Sequence, residues 1–153
     1  MLTVAPLNES RVAVGLEAIG LVLKMAKSTG SRSGRDETTV RLRILFVCTV
    51  NRMRSATAYE IYKDDPRFDV DSAGTDRTAA VVLEEWHLEW ADAIVVMEKH
   101  HRNVIRARFP QLYEQKPVVC LYIPDEYDFM QPELIALLRE KFEDVFRRGL
   151  LEA

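Results

Sequence analysis

The chain has 153 residues, of which 48% are hydrophobic and 29% charged, and its formal net charge at pH 7 is −3. A chain of this length can bury the core of one ordinary domain, and its charge balance lacks the basic excess that marks a nucleic-acid-binding protein. No stretch reaches the roughly 18 uncharged apolar residues of a membrane span. The 2 cysteines lie far apart, which argues against a disulfide scaffold and predicts a reducing, cytoplasmic location.

The first forty residues are predicted to form an extension separate from the main domain. Residues 11–27 have a pattern compatible with a helix, and residues 28–39 (STGSRSGRDETT) have the composition of a flexible linker. We expect a loosely attached helical extension; a helix that docks on a partner or on a membrane surface is the alternative. The predicted domains are therefore residues 1–40, the extension with its linker, and residues 41–153, an α/β domain.

From residue 42 onward, short apolar strands alternate with helices. Strands are predicted at residues 44–48, 68–72, 93–97 and 118–123, and helices at residues 55–63, 81–90, 98–109 and 132–148. The continuous apolar run of the first strand is typical of a sheet covered on both faces. The alternation predicts an α/β fold: a doubly wound four-stranded parallel sheet with helices on both faces. Ligands of such sheets bind beyond the carboxyl ends of the strands.

The helix predicted at residues 81–90 carries four large apolar side chains that we expect mostly in the core: Leu83, Trp86, Leu88 and Trp90. His87, in the same stretch, is expected to be a surface or core residue. His100 and His101 open the following helix and are expected to be solvated. None of the three histidines has the company of other metal-ligating residues, so no metal site is predicted.

A cysteine ends the first strand, and an arginine and a serine follow it at the start of the first helix (RILFVCTVNRMRS, residues 43–55). Backbone N–H groups at a helix N-terminus bind oxyanions and favour the thiolate form of a nearby cysteine. The five residues between Cys48 and Arg54 are enough for the chain to curl around a tetrahedral anion, with the guanidinium gripping two of its oxygens. The pattern predicts a phosphate-binding loop after the first strand, made of Cys48, Thr49, Val50, Asn51, Arg52, Met53 and Arg54.

A cysteine at the end of a buried strand is often a small core hydrophobe, and Cys120 fits that description. Cys48 does not, because polar and cationic residues follow it at once. A thiolate in a phosphate-binding loop can attack a phosphoryl group and form a phosphocysteine that water later hydrolyses. The hydroxyl of Ser55 can donate to the sulfur and favour the thiolate.

The same chemistry requires a carboxylic acid at the rim of the loop, to protonate the leaving oxygen and later to accept a proton from water. Asp125 follows the fourth strand directly and is the candidate. A solvated acid in the turn after Pro124 is the alternative for this residue, and Asp128 is the reserve candidate.

These residues and their surroundings resemble the low-molecular-weight protein tyrosine phosphatase family. The similar blocks are residues 44–55, residues 71–75 (DSAGT), residues 91–97 (ADAIVVM) and residues 125–127 (DEY), and the similarity spans about residues 42–148. The resemblance implies Cys48 as nucleophile, Arg54 as phosphate-binding arginine, Ser55 as thiolate stabiliser, Asn51 and Ser72 as loop-supporting residues, and Asp125 as acid and base. It also implies no metal and no organic cofactor.

The chain departs from the family pattern at four places. Val50 replaces a glycine, and because a β-branched residue tolerates unusual backbone angles poorly, we expect a differently shaped loop. Met53 replaces a second cysteine, so no neighbouring thiol can form a disulfide with an oxidised nucleophile. Glu126 replaces a proline and adds negative charge that would disfavour acidic phosphopeptides. Only 16 residues, 76–91, stand where the family usually has a longer stretch with a helix, pocket-wall residues and a buried histidine.

The sequence therefore predicts a cysteine-dependent phosphatase that acts on phosphotyrosine or small aryl phosphates, with a phosphorylated protein or a small phosphomonoester as its partner. One alternative is an arsenate reductase, which would hold arsenate in the same loop but for which Cys120 is a poor second thiol. The other alternative is a non-catalytic domain that binds phosphate or phosphoproteins; Val50 and the shortened 76–91 stretch favour it.

Overall fold

The structure is a computed structural model that describes residues 40–152. The helix and linker expected before residue 40 lie outside the described residues, so the division of the chain there stays a prediction. The elements are β1 (Leu42–Cys48), α1 (Arg54–Tyr62), β2 (Phe68–Gly74), α2 (Glu85–Trp90), β3 (Ala93–Val96), α3 (Lys99–Arg108), α4 (Pro110–Gln115), β4 (Val118–Cys120) and α5 (Pro132–Arg147).

The strands form one parallel sheet in the order β2-β1-β3-β4. Alternate side chains of β1 point to opposite faces, and both faces are covered, which explains why the strand is apolar throughout. Ile44 and Phe46 pack with residues of α1 and α5, whereas Leu45 and Val47 pack with residues of α2, α3 and α4. The predicted doubly wound four-stranded parallel sheet with helices on both faces is confirmed.

Helix α5 covers one face with an apolar stripe spaced at three and four residues: Leu134, Leu138, Phe142 and Val145. Burial of each such side chain contributes about 1.5–3 kcal/mol to folding. This stripe holds α5 against the sheet, and the end of the loop that precedes α5 therefore has a fixed position beside the carboxyl ends of the strands.

The helix expected at residues 81–90 begins only at Glu85. The chain before it is used to pair with the end of β2: Gly74 N–H donates to Val81 O at 2.8 Å, and Leu83 N–H donates to Gly74 O at 2.8 Å. Trp86 was expected in the core but is 52% exposed and stacks on the ring of His87. The pairing with β2 thus changes which side chains of residues 81–90 face the core.

Two further boundaries differ from the prediction. Strand β4 ends at Cys120 and not at residue 123, because Tyr122 has a φ of 56°, outside the range of an extended strand. Pro110, which directly follows the helix predicted at residues 98–109, is the first residue of the short helix α4, a position where its missing N–H costs nothing. Within residues 40–152, no helix is both long and apolar enough to cross a membrane.

Candidate active site

The phosphate loop, residues 48–54, turns back around the sulfur of Cys48. Asn51 N–H donates to Cys48 Sγ at 3.2 Å, and Ser55 Oγ lies 2.9 Å from the same sulfur. The side-chain amide of Asn51 donates to Ser55 Oγ at 2.8 Å. Since Ser55 Oγ accepts that bond, its own hydrogen is available to the sulfur. Two donors therefore converge on Cys48 Sγ.

The turn of the loop is made at Asn51, whose φ is 56°. Asparagine is one of the few residues that adopt this left-handed conformation readily. Val50 is not among the described residues with positive φ. Val50 therefore does not need a left-handed backbone in this loop; whether the loop differs in shape because of Val50 stays a prediction.

The segment of residues 75–80 binds the phosphate loop from outside. Thr75 N–H donates to Cys48 O at 2.9 Å, Asp76 N–H to Thr49 O at 3.0 Å, and Ala80 N–H to Val50 O at 2.9 Å. In a trans peptide the C=O of one residue and the N–H of the next point in opposite directions. Because these three carbonyls point outward to the 75–80 segment, the N–H groups of the residues that follow them point to the inner side of the loop. This short segment thus orients the loop amides for an anion.

Gly74 allows the 75–80 segment and the loop to approach. A Cβ atom at this position would lie 2.5 Å from Thr49 O, 2.6 Å from Ala79 Cβ and 3.0 Å from Asn51 N. Such distances are below van der Waals contact. The end of β2 beside Cys48 can therefore hold only glycine without a shift of the loop.

Arg54 is held beneath the loop by its Nη1 atom, which donates to Glu98 Oε2 at 2.8 Å and to Ile123 O at 2.7 Å. The side chain is only 2% exposed. Its Nε atom is buried, has no hydrogen-bond partner within residues 40–152, and lies 3.8 Å from Asp125 Oδ1. The guanidinium is thus fixed by one nitrogen and keeps Nε as a donor for an anion.

The acid loop, residues 121–131, joins β4 to α5. Arg54 binds Ile123 O near its start, and Thr57 Oγ1 accepts Met130 N–H at 2.9 Å near its end. Between these anchors the Asp125 side chain is 65% exposed. Asp128 is also exposed, and its backbone forms a turn with Gln131. The anchors hold Asp125, and not Asp128, beside Arg54.

Ser72, Arg52 and Met53 make no side-chain hydrogen bond within the described part of the site. The Ser72 hydroxyl makes no hydrogen bond to a described residue, although the Ser72 N–H donates to Asp71 Oδ1. Arg52 is exposed at the tip of the loop, and Met53 is the residue that precedes α1, where no side chain caps the helix. The N-terminal amides of α1 are consequently open towards the loop.

His101 was expected to be solvated, and that expectation is wrong. The residue is 0% exposed, and its Nε2 atom lies 2.9 Å from Thr49 Oγ1 of the phosphate loop. Burial, with the neighbouring His100 and Arg54, lowers the pKa of His101 to about 3. The His100 side chain is 53% exposed, as predicted.

Glu98 and His101 are functional candidates that the motif-based reasoning missed. Both lie at the start of α3, directly after β3, and β3 is paired with β1. Their position beyond the carboxyl end of a central strand was a usable signal. Within residues 40–152, no group of three or more His, Cys, Asp or Glu side chains is arranged to hold a metal ion.

No protein-family model matches the sequence, and no curated protein matches it. Solved structures do match. The low-molecular-weight protein tyrosine phosphatase SP-PTP of Streptococcus pyogenes has a TM-score of 0.59 at 16% identity, over 70% of this chain and 92% of that one. The chain has the fold of the low-molecular-weight protein tyrosine phosphatases. This confirms at the level of fold the resemblance found in the sequence.

Two further matches share this fold. The tyrosine phosphatase AmsI of Erwinia amylovora has a TM-score of 0.57 at 19% identity, over 77% of this chain and 97% of that one. The YwlE arginine phosphatase of Geobacillus stearothermophilus has a TM-score of 0.52 at 23% identity, over 72% of this chain and 96% of that one. At these identities the likeness concerns the fold, and activity has to be argued from the site.

Proposed function

We propose that this protein is a cysteine-dependent phosphatase that hydrolyses phosphotyrosine or small aryl phosphates through a phosphocysteine intermediate. The observation that carries the proposal is the surrounding of Cys48 Sγ, with Asn51 N–H at 3.2 Å, Ser55 Oγ at 2.9 Å and the open N-terminus of α1 beside it. Phosphorylated proteins or small phosphomonoesters in the cytoplasm are the proposed substrates.

In the first step the Cys48 thiolate attacks phosphorus, and the bond from phosphorus to the aryl oxygen breaks. The leaving oxygen takes a proton from the Asp125 carboxyl group, so the alcohol departs neutral. Arg54 Nε and the loop amides donate to the phosphoryl oxygens, where negative charge is spread in the transition state. The product on the protein is a phosphocysteine.

In the second step a water molecule attacks the phosphocysteine, and the Asp125 carboxylate accepts its proton. The bond from phosphorus to sulfur breaks, and inorganic phosphate and the Cys48 thiolate are released. The Ser55 hydroxyl, 2.9 Å from Cys48 Sγ, donates to the sulfur and stabilises it as the leaving group in this step. Asp125 is thereby returned to its acid form.

The rim of the site supports a preference among substrates. Glu126 is exposed next to Asp125, and its charge disfavours phosphopeptides that are strongly acidic. Because the fold is also that of an arginine phosphatase, the substrate panel should contain phosphoarginine beside phosphotyrosine and p-nitrophenyl phosphate. Tyrosine phosphate or aryl phosphate turnover is the expected result.

An arsenate reductase is not favoured. That reaction needs further thiols to carry oxidising equivalents, and the chain has 2 cysteines. Cys120 is half-buried on β4, and burial raises the pKa of its thiol, which makes the thiolate scarce. A domain that binds phosphate without turnover is separated from the proposed enzyme by the experiment below.

The test compares wild type, Cys48→Ser and the matched control Cys120→Ser. Cys48→Ser should abolish hydrolysis of every substrate in the panel but still bind inorganic phosphate, because the site is made of amides and Arg54. Cys120→Ser should retain activity. Turnover that survives in Cys48→Ser would refute the covalent mechanism, and a wild type that binds phosphate but hydrolyses nothing would identify a binding domain.

A further inference from the structure

Two buried histidines occupy equivalent positions in this fold. His87 is the third residue of α2 and His101 the third residue of α3, and they are 1% and 0% exposed. In each, Nδ1 accepts the N–H of the glutamate that precedes the helix: Glu84 for His87 at 3.0 Å and Glu98 for His101 at 2.9 Å. A ring nitrogen that accepts carries no proton, so in both neutral rings the proton is on Nε2.

The two histidines differ in what Nε2 contacts. His87 Nε2 is buried and has no hydrogen-bond partner within residues 40–152. His101 Nε2 lies 2.9 Å from Thr49 Oγ1, and the other nitrogen near it, His100 Nε2, is more distant at 3.3 Å. The tautomer fixed by Glu98 therefore makes His101 a donor and the Thr49 hydroxyl its acceptor.

Thr49 is the residue directly after Cys48, and its peptide groups form the first part of the phosphate loop. Its carbonyl oxygen accepts Asp76 N–H at 3.0 Å, while its hydroxyl accepts from His101. Thr49 is thus held at two points by two different segments. Its side chain cannot rotate without losing a bond to a buried donor, which would leave His101 Nε2 with only the more distant His100 Nε2 as a partner.

We propose that His101 is a positioning residue of the phosphate loop, which fixes Thr49 through its Nε2–H and thereby holds the amides after Cys48 in the orientation that an anion needs. The inference rests on the proposed function of the loop as a phosphate site. The same turn of α3 supplies Glu98, which binds Arg54 at 2.8 Å. The start of α3 consequently positions both the loop amides and the phosphate-binding arginine.

The neutral form of His101 is the one that this role requires. A protonated ring would carry hydrogens on both nitrogens and would lose the bond from Glu98 N–H. The charged and titratable groups that surround His101 are Arg54, His100 and Glu98, and burial lowers its pKa well below the neutral range. His101 is therefore a constant donor at neutral pH and takes no proton from substrate.

The experiment uses the full chain, five single variants (His101→Leu, His101→Gln, Thr49→Val, Thr49→Ser and His87→Leu) and the double variant that combines His101→Leu with Thr49→Val. The readouts are the affinity for inorganic phosphate by calorimetry, kcat and KM for p-nitrophenyl phosphate, and the melting temperature. His101→Leu and Thr49→Val should lower kcat/KM by about 100-fold, the effect of a misplacement of about 1 Å in an active site, and should weaken phosphate binding. The double variant should be no worse than the poorer single variant.

The remaining variants are controls. Gln at position 101 keeps an amide donor for Thr49, and Ser at position 49 keeps the hydroxyl acceptor, so both should recover much of the activity. His87→Leu removes a similarly buried histidine that makes no hydrogen bond to the loop; it should lower the melting temperature and leave kcat and phosphate affinity near those of wild type. Thr49 is only partly buried, so Thr49→Val keeps the test valid even where His101→Leu fails to fold.

Wild-type phosphate affinity and kcat in folded Thr49→Val would overturn the inference while leaving the proposed function intact. Additive effects of the two single variants would also overturn it. The wild type could bind phosphate but hydrolyse no phosphate ester, while Thr49→Val binds phosphate more weakly than the wild type. That result would support the positioning role and refute the proposed hydrolysis. A wild type that does not bind phosphate at all would refute both.

Discussion

The phosphate loop and the acid loop lie at the same end of the sheet but are built in different ways. In the phosphate loop the carbonyls of three successive residues are bound by the 75–80 segment, and Arg54 is 2% exposed. In the acid loop Asp125 is 65% exposed between two anchors at Ile123 and Met130. The phosphate loop is therefore held by several backbone bonds and a buried arginine, whereas the proposed acid, Asp125, has an exposed position that depends on two distant contacts.

The largest effect is expected from Arg54→Lys, because Arg54 belongs to both regions. A lysine carries all its donors on one nitrogen and cannot reproduce the planar fork in which Nη1 of Arg54 contacts Glu98 and Ile123 O while Nε faces a phosphoryl oxygen. We expect kcat/KM to fall by about 10³-fold or more, the lower end of what an arginine contributes to phosphoryl transfer. Steady-state kinetics with p-nitrophenyl phosphate measure the loss. Arg52→Lys, in the exposed part of the same loop, is the matched control, and near-normal kinetics of Arg54→Lys would show that this arginine is structural.

The next effect concerns the acid loop alone. Asp125→Asn should lower kcat for esters with poor leaving groups by about 10²- to 10⁴-fold, and much less for good leaving groups, because only a poor leaving group needs the proton. Asp128→Asn is the control, since Asp128 is also exposed but is not held beside Arg54. If Asp128→Asn showed this dependence on the leaving group and Asp125→Asn did not, Asp128 and not Asp125 would be the acid.

A smaller effect is expected where the phosphate loop meets β2. Gly74→Ala places a methyl group 2.5 Å from Thr49 O, so the loop must shift. We expect a loss of about 1–3 kcal/mol in unfolding free energy, together with weaker phosphate binding. Gly149→Ala is the control: its φ of 73° makes alanine strained, but no atom lies within 4 Å of the added Cβ. Both variants should be less stable, and only Gly74→Ala should bind phosphate more weakly; unchanged affinity there would mean that the loop adapts.

The smallest effect is a pH dependence of the unfolding free energy, which we expect from the buried histidines His101 and His87. The pKa of His101 is lowered to about 3 by burial, and that of His87 is lowered for the same reason. An unfolded histidine binds a proton below about pH 6.5, whereas a folded one with a lowered pKa binds it only at lower pH, so their contribution is complete above pH 6.5 and is lost as the pH falls. His101 alone should reduce the unfolding free energy by about 1–2 kcal/mol between pH 6.5 and pH 5. Urea titrations of wild type and His101→Gln at the two pH values measure it, and parallel losses in both proteins would contradict it.

The sequence by itself determined the architecture and the position of the phosphate loop. The alternation of strands and helices and the apolar run of β1 follow from the spacing of apolar residues. That spacing can be seen within each short stretch of the sequence. The spacing from Cys48 to Arg54 and Ser55 likewise belongs to one continuous strand, loop and helix. For these features the sequence neighbours are also the spatial neighbours, and the predicted fold is confirmed.

Other features were decided by tertiary structure. The start of α2 and the end of β4 were misplaced because Val81 and Leu83 pair with Gly74 and because Tyr122 adopts a positive φ. The burial of His101 beneath Thr49 joins residues 52 positions apart, and Arg54 reaches Glu98 across 44. A histidine followed by an arginine at the start of a polar helix has the local pattern of a solvated residue. Only the packing of α3 against the end of β1 makes it a buried partner of the loop, because burial depends on which distant segment covers a side chain.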